Sequence, residues 1–158
     1  MRALVAAGAA ALLTVAIAGC SQDQQTAADG QGTATVVAST DVWGSVASAV
    51  AGDHATVKSI VTGTVADPHS FEASPADAAE ISDASLVVFN GGHYDHWVDE
   101  VLTSNPDVPT VDAYSLLAPS QEPANEHVFY DLGTVKEVAR NIAVKLGETD
   151  SAHAADYT

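Results

Sequence analysis

Sulfur and positive charge are both scarce in this sequence. Cys20 is the only cysteine among 158 residues, so the chain can form no intrachain disulfide and offers no multi-cysteine metal site. A metal ion bound by this chain must therefore be held by histidine and carboxylate groups. Five Lys and Arg stand against 21 Asp and Glu, which gives a formal net charge of −16 at pH 7. This acidic balance favours a solvated surface and argues against nucleic acid as a partner.

Sequence patterns that would indicate catalysis are also missing. The sequence contains no His-Glu-x-x-His motif and no segment of the nucleophile-elbow type. A zinc hydrolase would in addition need an open coordination position and a general base. We therefore predict that the protein is not an enzyme.

The amino-terminal segment predicts export and anchoring. Met1-Arg2 and the apolar run 3–18 read as a signal peptide over residues 1–19, because the run is short for a membrane span. Ile17-Ala18-Gly19-Cys20 resembles the bacterial lipoprotein cleavage box, in which the cysteine is lipidated; the alternative is an ordinary signal peptide with an incidental cysteine. Residues 20–32 lack apolar periodicity and predict a flexible tether. The expected location is extracytoplasmic, on the outer face of the membrane.

Strand-like and helix-like segments alternate from about Thr33 onward. This order indicates a parallel sheet with right-handed crossovers, and hence an α/β lobe over residues 33–131. Ser74-Pro75 predicts one helix start, and Thr134 with Glu137 predicts a capping box before another helix, which Gly147 would interrupt. Residues 132–158 are expected to hold that helix and the opening of a further one. The predicted strands are 35–39, 56–61, 86–89 and 110–114.

Two histidines stand where an open α/β sheet binds ligands. His69 follows the second predicted strand, in the stretch Asp67-Pro68-His69, where the proline restricts both itself and the residue before it. His127 follows the fourth predicted strand, so it could reach the same edge of the sheet. A surface role remains open for each. Together they predict a site for a borderline divalent ion.

The sequence also contains three carboxylates close to these two histidines and four further histidines. Glu72, Glu126 and Asp131 are candidates for orienting an imidazole, although each could simply be solvated. His93 and His96, three residues apart, are expected to share a face at the start of a helix, and His93 is a candidate for an additional metal ligand. His54 and His153 are expected to be surface residues.

These pieces together resemble one family closely. From Thr35 onward the chain is similar to the amino-terminal half of the zinc/manganese solute-binding proteins of metal-uptake ABC transporters, known as the cluster A-I type. The matching segments occur in order: Val42-Trp43-Gly44; Gly52-Asp53-His54; Asp67-Pro68-His69-Ser70-Phe71-Glu72; Leu86 to Gly91 with Tyr94-Asp95 and Trp97; and His127-Val128-Phe129-Tyr130-Asp131.

The resemblance implies a Rossmann-like amino-terminal lobe of a two-lobe protein whose second lobe is absent from this sequence. It implies a metal ion bound between the lobes, with His69 and His127 as the ligands from this lobe, and delivery to a permease. Zn²⁺ is favoured over Mn²⁺ as the ion. The expected protein is a monomer. The alternative within the same fold is an adhesin that metal merely stabilises.

Overall fold

The computed structural model describes residues 33–63, 66–118 and 125–157. The predicted signal peptide, Cys20 and the tether lie outside these ranges. None of the helices in the described ranges combines the length and the hydropathy that a membrane span requires.

The fold is built on a parallel sheet of four strands. These are β1 (Ala34–Thr40), β2 (Ala55–Val61), β3 (Leu86–Phe89) and β4 (Thr110–Asp112). Their order is β2-β1-β3-β4, and every neighbouring pair is parallel. The predicted α/β class with a parallel sheet is therefore confirmed. Because parallel strands share one direction, the loops that follow β2, β3 and β4 all leave from the same edge.

Four helices complete the lobe: α1 (Asp41–Ala51), α2 (Pro75–Ser82), α3 (His96–Thr103) and α4 (Leu132–Thr149). Short 3₁₀ turns cover Pro68–Ser70, Tyr114–Leu116, Val128–Tyr130 and Ser151–His153. The predicted start of α2 is confirmed, since Ser74 and Asp77 form a reciprocal capping box ahead of Pro75.

Apolar side chains from both faces of the sheet form two cores. Neighbouring residues of a strand point to opposite faces, so Val36 and Val37 of β1 enter different cores. The Val36 side packs against α1 and α4, and the Val37 side packs against α2 and α3. Trp43 of α1 and Trp97 of α3 are the largest buried side chains of the two cores, each almost fully removed from water.

Three local predictions about helices are wrong. Asp131, not Thr134, caps α4: its carboxylate accepts from the Thr134 backbone N–H at 2.7 Å, and Thr134 is buried in the first turn. Gly147 does not interrupt α4, which continues to Thr149. His93 and His96 do not share a helical face, because α3 begins at His96 while His93 precedes it with a φ of 70°.

Candidate metal centre

Loops at the carboxyl edge of the sheet bring His69 and His127 together. His69 lies in the 3₁₀ turn that follows β2, and His127 directly precedes the turn Val128–Tyr130. Their ring centroids are 6.0 Å apart. The two residues are far apart in the sequence, so their proximity is a property of the fold.

An aspartate two residues earlier fixes the orientation of His69. Asp67 Oδ1 accepts hydrogen bonds from the His69 backbone N–H at 3.1 Å and from its ring Nδ1 at 2.8 Å. Asp67 is extended, with φ −82° and ψ 119°, as expected for a residue before Pro68. With Nδ1 occupied, the nitrogen left for a ligand is Nε2.

Asn125 does the same for His127. Its Oδ1 accepts from the His127 backbone N–H at 2.9 Å and from the ring Nδ1 at 2.8 Å. Two separate loops therefore use one local device, an Asp or Asn followed two residues later by a histidine. In metal sites a hydrogen bond to the second ring nitrogen typically orients a ligating imidazole and increases its basicity.

Glu126 supplies a carboxylate between the two imidazoles. Its Oε1 accepts from His69 Nε2 at 3.0 Å. One ligand atom each from His69, Glu126 and His127 lies within 4.8 Å of the others. Donors around a tetrahedral ion with bonds of 2.0–2.1 Å are about 3.3 Å apart, so a small closure would suffice. The three groups can hold a borderline divalent ion from one side.

Aromatic rings pack against this cluster. The Tyr94 ring meets His69 and His127 edge-on, with centroid distances of 4.7 and 5.5 Å. Phe129 lies 5.5 Å from Tyr94 and 5.8 Å from His127. Partial burial raises the pKa of the Tyr94 hydroxyl. These rings pack against both imidazoles without contributing charge.

A buried polar network connects β3 to the His127 loop. Asn90 is fully buried; its Nδ2 donates to the Glu126 carbonyl at 2.7 Å, and its Oδ1 accepts from Trp43 Nε1 at 3.2 Å. The Asp95 carboxylate accepts from the backbone N–H groups of Asn90 and Gly91 at 2.7 and 2.8 Å. Burial raises the pKa of Asp95. This network fixes the backbone from which the Glu126 side chain extends.

The electrostatics favour a proton on His69 when no metal is bound. The hydrogen bond that the ring donates to Asp67, followed by the one it donates to Glu126, raises the pKa of the His69 imidazole. The same contact with His69 lowers the pKa of Asp67. A divalent ion would compete with that proton for Nε2.

The other predicted site residues are not part of the described donor group around His69. Glu72 is exposed and lines a surface pocket beside His96 and Trp97. Asp131 caps α4. His93 is exposed and does not belong to the described donor group around His69. A ligand role for His69, His127 and His93 stays a prediction.

Sequence reasoning missed three contributors, which are Asn90, Asn125 and the ring of Tyr94. One signal was available for Asn125, because Asp67-Pro68-His69 and Asn125-Glu126-His127 share the spacing of an Asx residue two positions before a histidine. The hydrogen bond from Asn90 to Glu126 spans 36 residues, and no local pattern indicates it.

The fold and the site define an α/β lobe that presents two histidines and a carboxylate at the carboxyl edge of a parallel sheet. Comparison with known proteins then places the chain in a family. Residues 36–158 match the family model for the periplasmic component A of zinc-uptake complexes, ZnuA, and the chain belongs to this family.

Curated relatives share about a third of the residues or fewer. The chain is 29% identical over 153 residues to the manganese-binding lipoprotein MntA of Halalkalibacterium halodurans, covering 92% of this chain and 50% of that protein. It is 30% identical over 119 residues to the iron-binding protein YfeA of Yersinia pestis, and the match covers 71% of this chain and 38% of that protein. The chain thus spans about half the length of the curated relatives it matches, or less.

Solved structures agree on the fold. A cadmium-bound periplasmic metal-binding protein from Candidatus Liberibacter asiaticus aligns with a TM-score of 0.66 and 25% identity, over 78% of this chain and 48% of that one. The zinc-bound ZnuA-like domain of Streptococcus pneumoniae AdcA aligns with a TM-score of 0.68 and 22% identity, over 80% of this chain and 48% of that one.

Proposed function

We propose that this chain is the metal-capturing lobe of an extracytoplasmic receptor that delivers a divalent ion to the permease of an ABC importer. The observation that carries the proposal is the paired arrangement of His69 and His127, each held through Nδ1. An ion would take Nε2 of each ring, in His69 by displacing the contact with Glu126. No chemistry is done on the ion, which is the cargo. Lipidation at Cys20 would anchor the receptor to the outer face of the membrane.

We propose Zn²⁺ as the ion, with Mn²⁺ as the second candidate. Two imidazole nitrogens and one carboxylate oxygen suit Zn²⁺, whereas Mn²⁺ favours oxygen-rich sites. Relatives are named for binding manganese and iron, and similar solved structures contain cadmium or zinc. Binding requires a deprotonated Nε2 on each histidine, so affinity should fall as the pH drops through the histidine range.

Metal binding is the first test. Titration calorimetry with Zn²⁺ and with Mn²⁺ would compare the chain with the His69→Ala/His127→Ala variant and with His96→Ala, which removes an exposed histidine of α3. Binding at this site should be lost in the double variant and kept in His96→Ala. If the double variant bound as many equivalents of metal as the unmodified chain, with the same affinities, the proposal would be contradicted.

The chain on its own should bind more weakly than a complete two-lobe receptor. A tetrahedral ion takes about four ligands, and the described cluster around His69 offers three donor groups. We propose that a second lobe supplies the remaining ligands. Equal affinities of this chain and a full-length family member, measured by the same calorimetric titration, would show that no further ligands are needed.

Delivery to a permease is tested in the organism that carries the gene. Deletion should impair growth in medium depleted of Zn²⁺, and added Zn²⁺ should restore it, because the defect lies in uptake at low concentration. An adhesin would behave differently, since deletion would reduce attachment whether or not metal was added.

A further inference from the structure

A second group of metal-ligating side chains lies at the opposite edge of the sheet. His54 occupies the turn between α1 and β2, at the amino end of β2, whereas His69 follows its carboxyl end. The seven residues of β2 span about 20 Å at 3.3 Å per residue. The donors of this group are His54, His153 and Asp156, which share no residue with the cluster around His69.

The three donors converge closely. His54 Nε2 lies 3.5 Å from Asp156 Oδ2, and the rings of His54 and His153 stack with centroids 4.2 Å apart. One ligand atom from each residue lies within 4.8 Å of the others. The His54–Asp156 spacing is already near the distance of about 3.3 Å expected between donors around a tetrahedral ion with bonds of 2.0–2.1 Å.

A carboxylate behind His153 orients it in the manner typical of a ligand. Asp150 Oδ2 accepts from His153 Nδ1 at 2.8 Å, which leaves Nε2 as the free ring nitrogen. The same oxygen accepts from the Tyr157 hydroxyl at 2.8 Å, and Tyr157 is 1% exposed. The Tyr157 ring also meets His54 edge-on at 6.0 Å. A carboxylate, a histidine and an ion in series form a recurring arrangement in zinc sites.

The donor side chains of this group are close together and partly exposed. The rings of His54 and His153 stack with centroids 4.2 Å apart, and two imidazole rings can share one cation. The side chains are accessible to an ion from solvent, since 35% of His54, 45% of His153 and 53% of Asp156 is exposed.

We propose that His54, His153 and Asp156 form a second binding site for a borderline divalent cation such as Zn²⁺, with water completing the coordination. The site joins the turn after α1 to the segment that follows α4. An ion bound there would stabilise residues 150–157 against the lobe, because binding to the folded arrangement alone is coupled to folding. It would act independently of the cargo site at His69 and His127.

The test uses the intact chain with the first site disabled. In the His69→Ala/His127→Ala background, titration with Zn²⁺ alone should still show about one equivalent bound, and Co²⁺ should give the visible absorption of a low-symmetry site. Adding His54→Ala or Asp156→Asn should weaken this binding at least tenfold. Adding His96→Ala, the matched control on α3, should leave it unchanged.

Two outcomes would overturn the proposal. Either the background variant binds no Zn²⁺, or its affinity is the same with and without His54→Ala and Asp156→Asn. The second result would leave His54 and Asp156 as a plain ion pair. If His54→Ala unfolds, Asp156→Asn decides the question, since it keeps the stacked rings and changes one exposed carboxylate. Circular dichroism of each variant checks the fold.

Discussion

Asn90 connects the core to the candidate metal centre, so its replacement should affect both stability and metal binding. Asn90→Ala removes the acceptor of Trp43 Nε1 and the donor to the Glu126 carbonyl. Trp43 is fully buried, so its indole N–H cannot bond to water instead. Leaving this N–H without an acceptor should lower the free energy of unfolding by about 1–3 kcal/mol. The Glu126 carbonyl lies in a partly buried region, and the lost bond there should cost about 1 kcal/mol.

The expected loss in the free energy of unfolding is therefore about 2–4 kcal/mol, measured by urea denaturation without metal. Asn105→Ala is the matched control. Asn105 follows the carboxyl end of α3, and its side chain donates to the Val101 carbonyl at 2.9 Å in a partly buried position. Its loss should be about 1 kcal/mol. In calorimetry, Asn90→Ala should also weaken Zn²⁺ binding about tenfold, because the backbone at Glu126 is no longer held.

Equal losses of stability in the two variants would refute the argument about the buried indole. A large loss of stability in Asn90→Ala with unchanged Zn²⁺ affinity would refute the link between Asn90 and the metal centre. The two readouts are separable, since the affinity is measured under conditions in which both variants are folded.

Three further predictions follow from the site. Asp67→Ala and Asn125→Ala should each weaken Zn²⁺ binding by about 10–100-fold in calorimetry; unchanged affinities would show that the bonds to Nδ1 do not orient the ligands. The pKa of His69 is raised above its usual 6.5, so the stabilisation by its protonated form is complete below that pH and is lost as pH rises through the folded-state pKa. Urea denaturation of metal-free His69→Ala should thus show a greater loss at about pH 5 than at about pH 8, and a pH-independent loss would contradict this. Gly92→Ala should lower the free energy of unfolding by about 2 kcal/mol, because Gly92 has a φ of 61° and an added Cβ would lie 2.4 Å from the ring of Tyr114. Gly52→Ala should lower it less in the same urea assay, because Gly52 has a similar φ of 54° but open space around it.

The fold could be predicted because its signals are local and strong. The apolar run Leu86–Phe89 is buried on both faces, as a central parallel strand requires. The start of α2 was predictable because Ser74, Pro75 and Asp77 complete their capping interactions within one turn. The start of α4 was not predictable in this way, because Asp131 and Thr134 are both suitable capping residues. In the structure Asp131, which directly follows the turn Val128–Tyr130, caps the helix, and Thr134 is buried in its first turn.

The candidate site could be predicted only as far as its loops. His69 and His127 follow strands of one sheet, so topology alone brings them to one edge. The arrangement of the site also depends on side-chain bonds that no local pattern indicates, such as the one from Asn90 to the Glu126 carbonyl. The cluster at His54 and His153 was expected to be plain surface, because nothing in the sequence relates a turn after α1 to a segment about a hundred residues later.

Both ring nitrogens of His69 face carboxylates, so an ion bound at Nε2 would have to displace the contact with Glu126. Asp67 accepts from Nδ1 and Glu126 from Nε2, and both hydrogen bonds raise the pKa of the His69 imidazole. An ion approaching from the His127 side meets Glu126 and the Nε2 proton together. In the proposed site, an ion at Nε2 would replace a proton beside the same carboxylate, while Asp67 would keep the Nδ1 proton and the ring orientation.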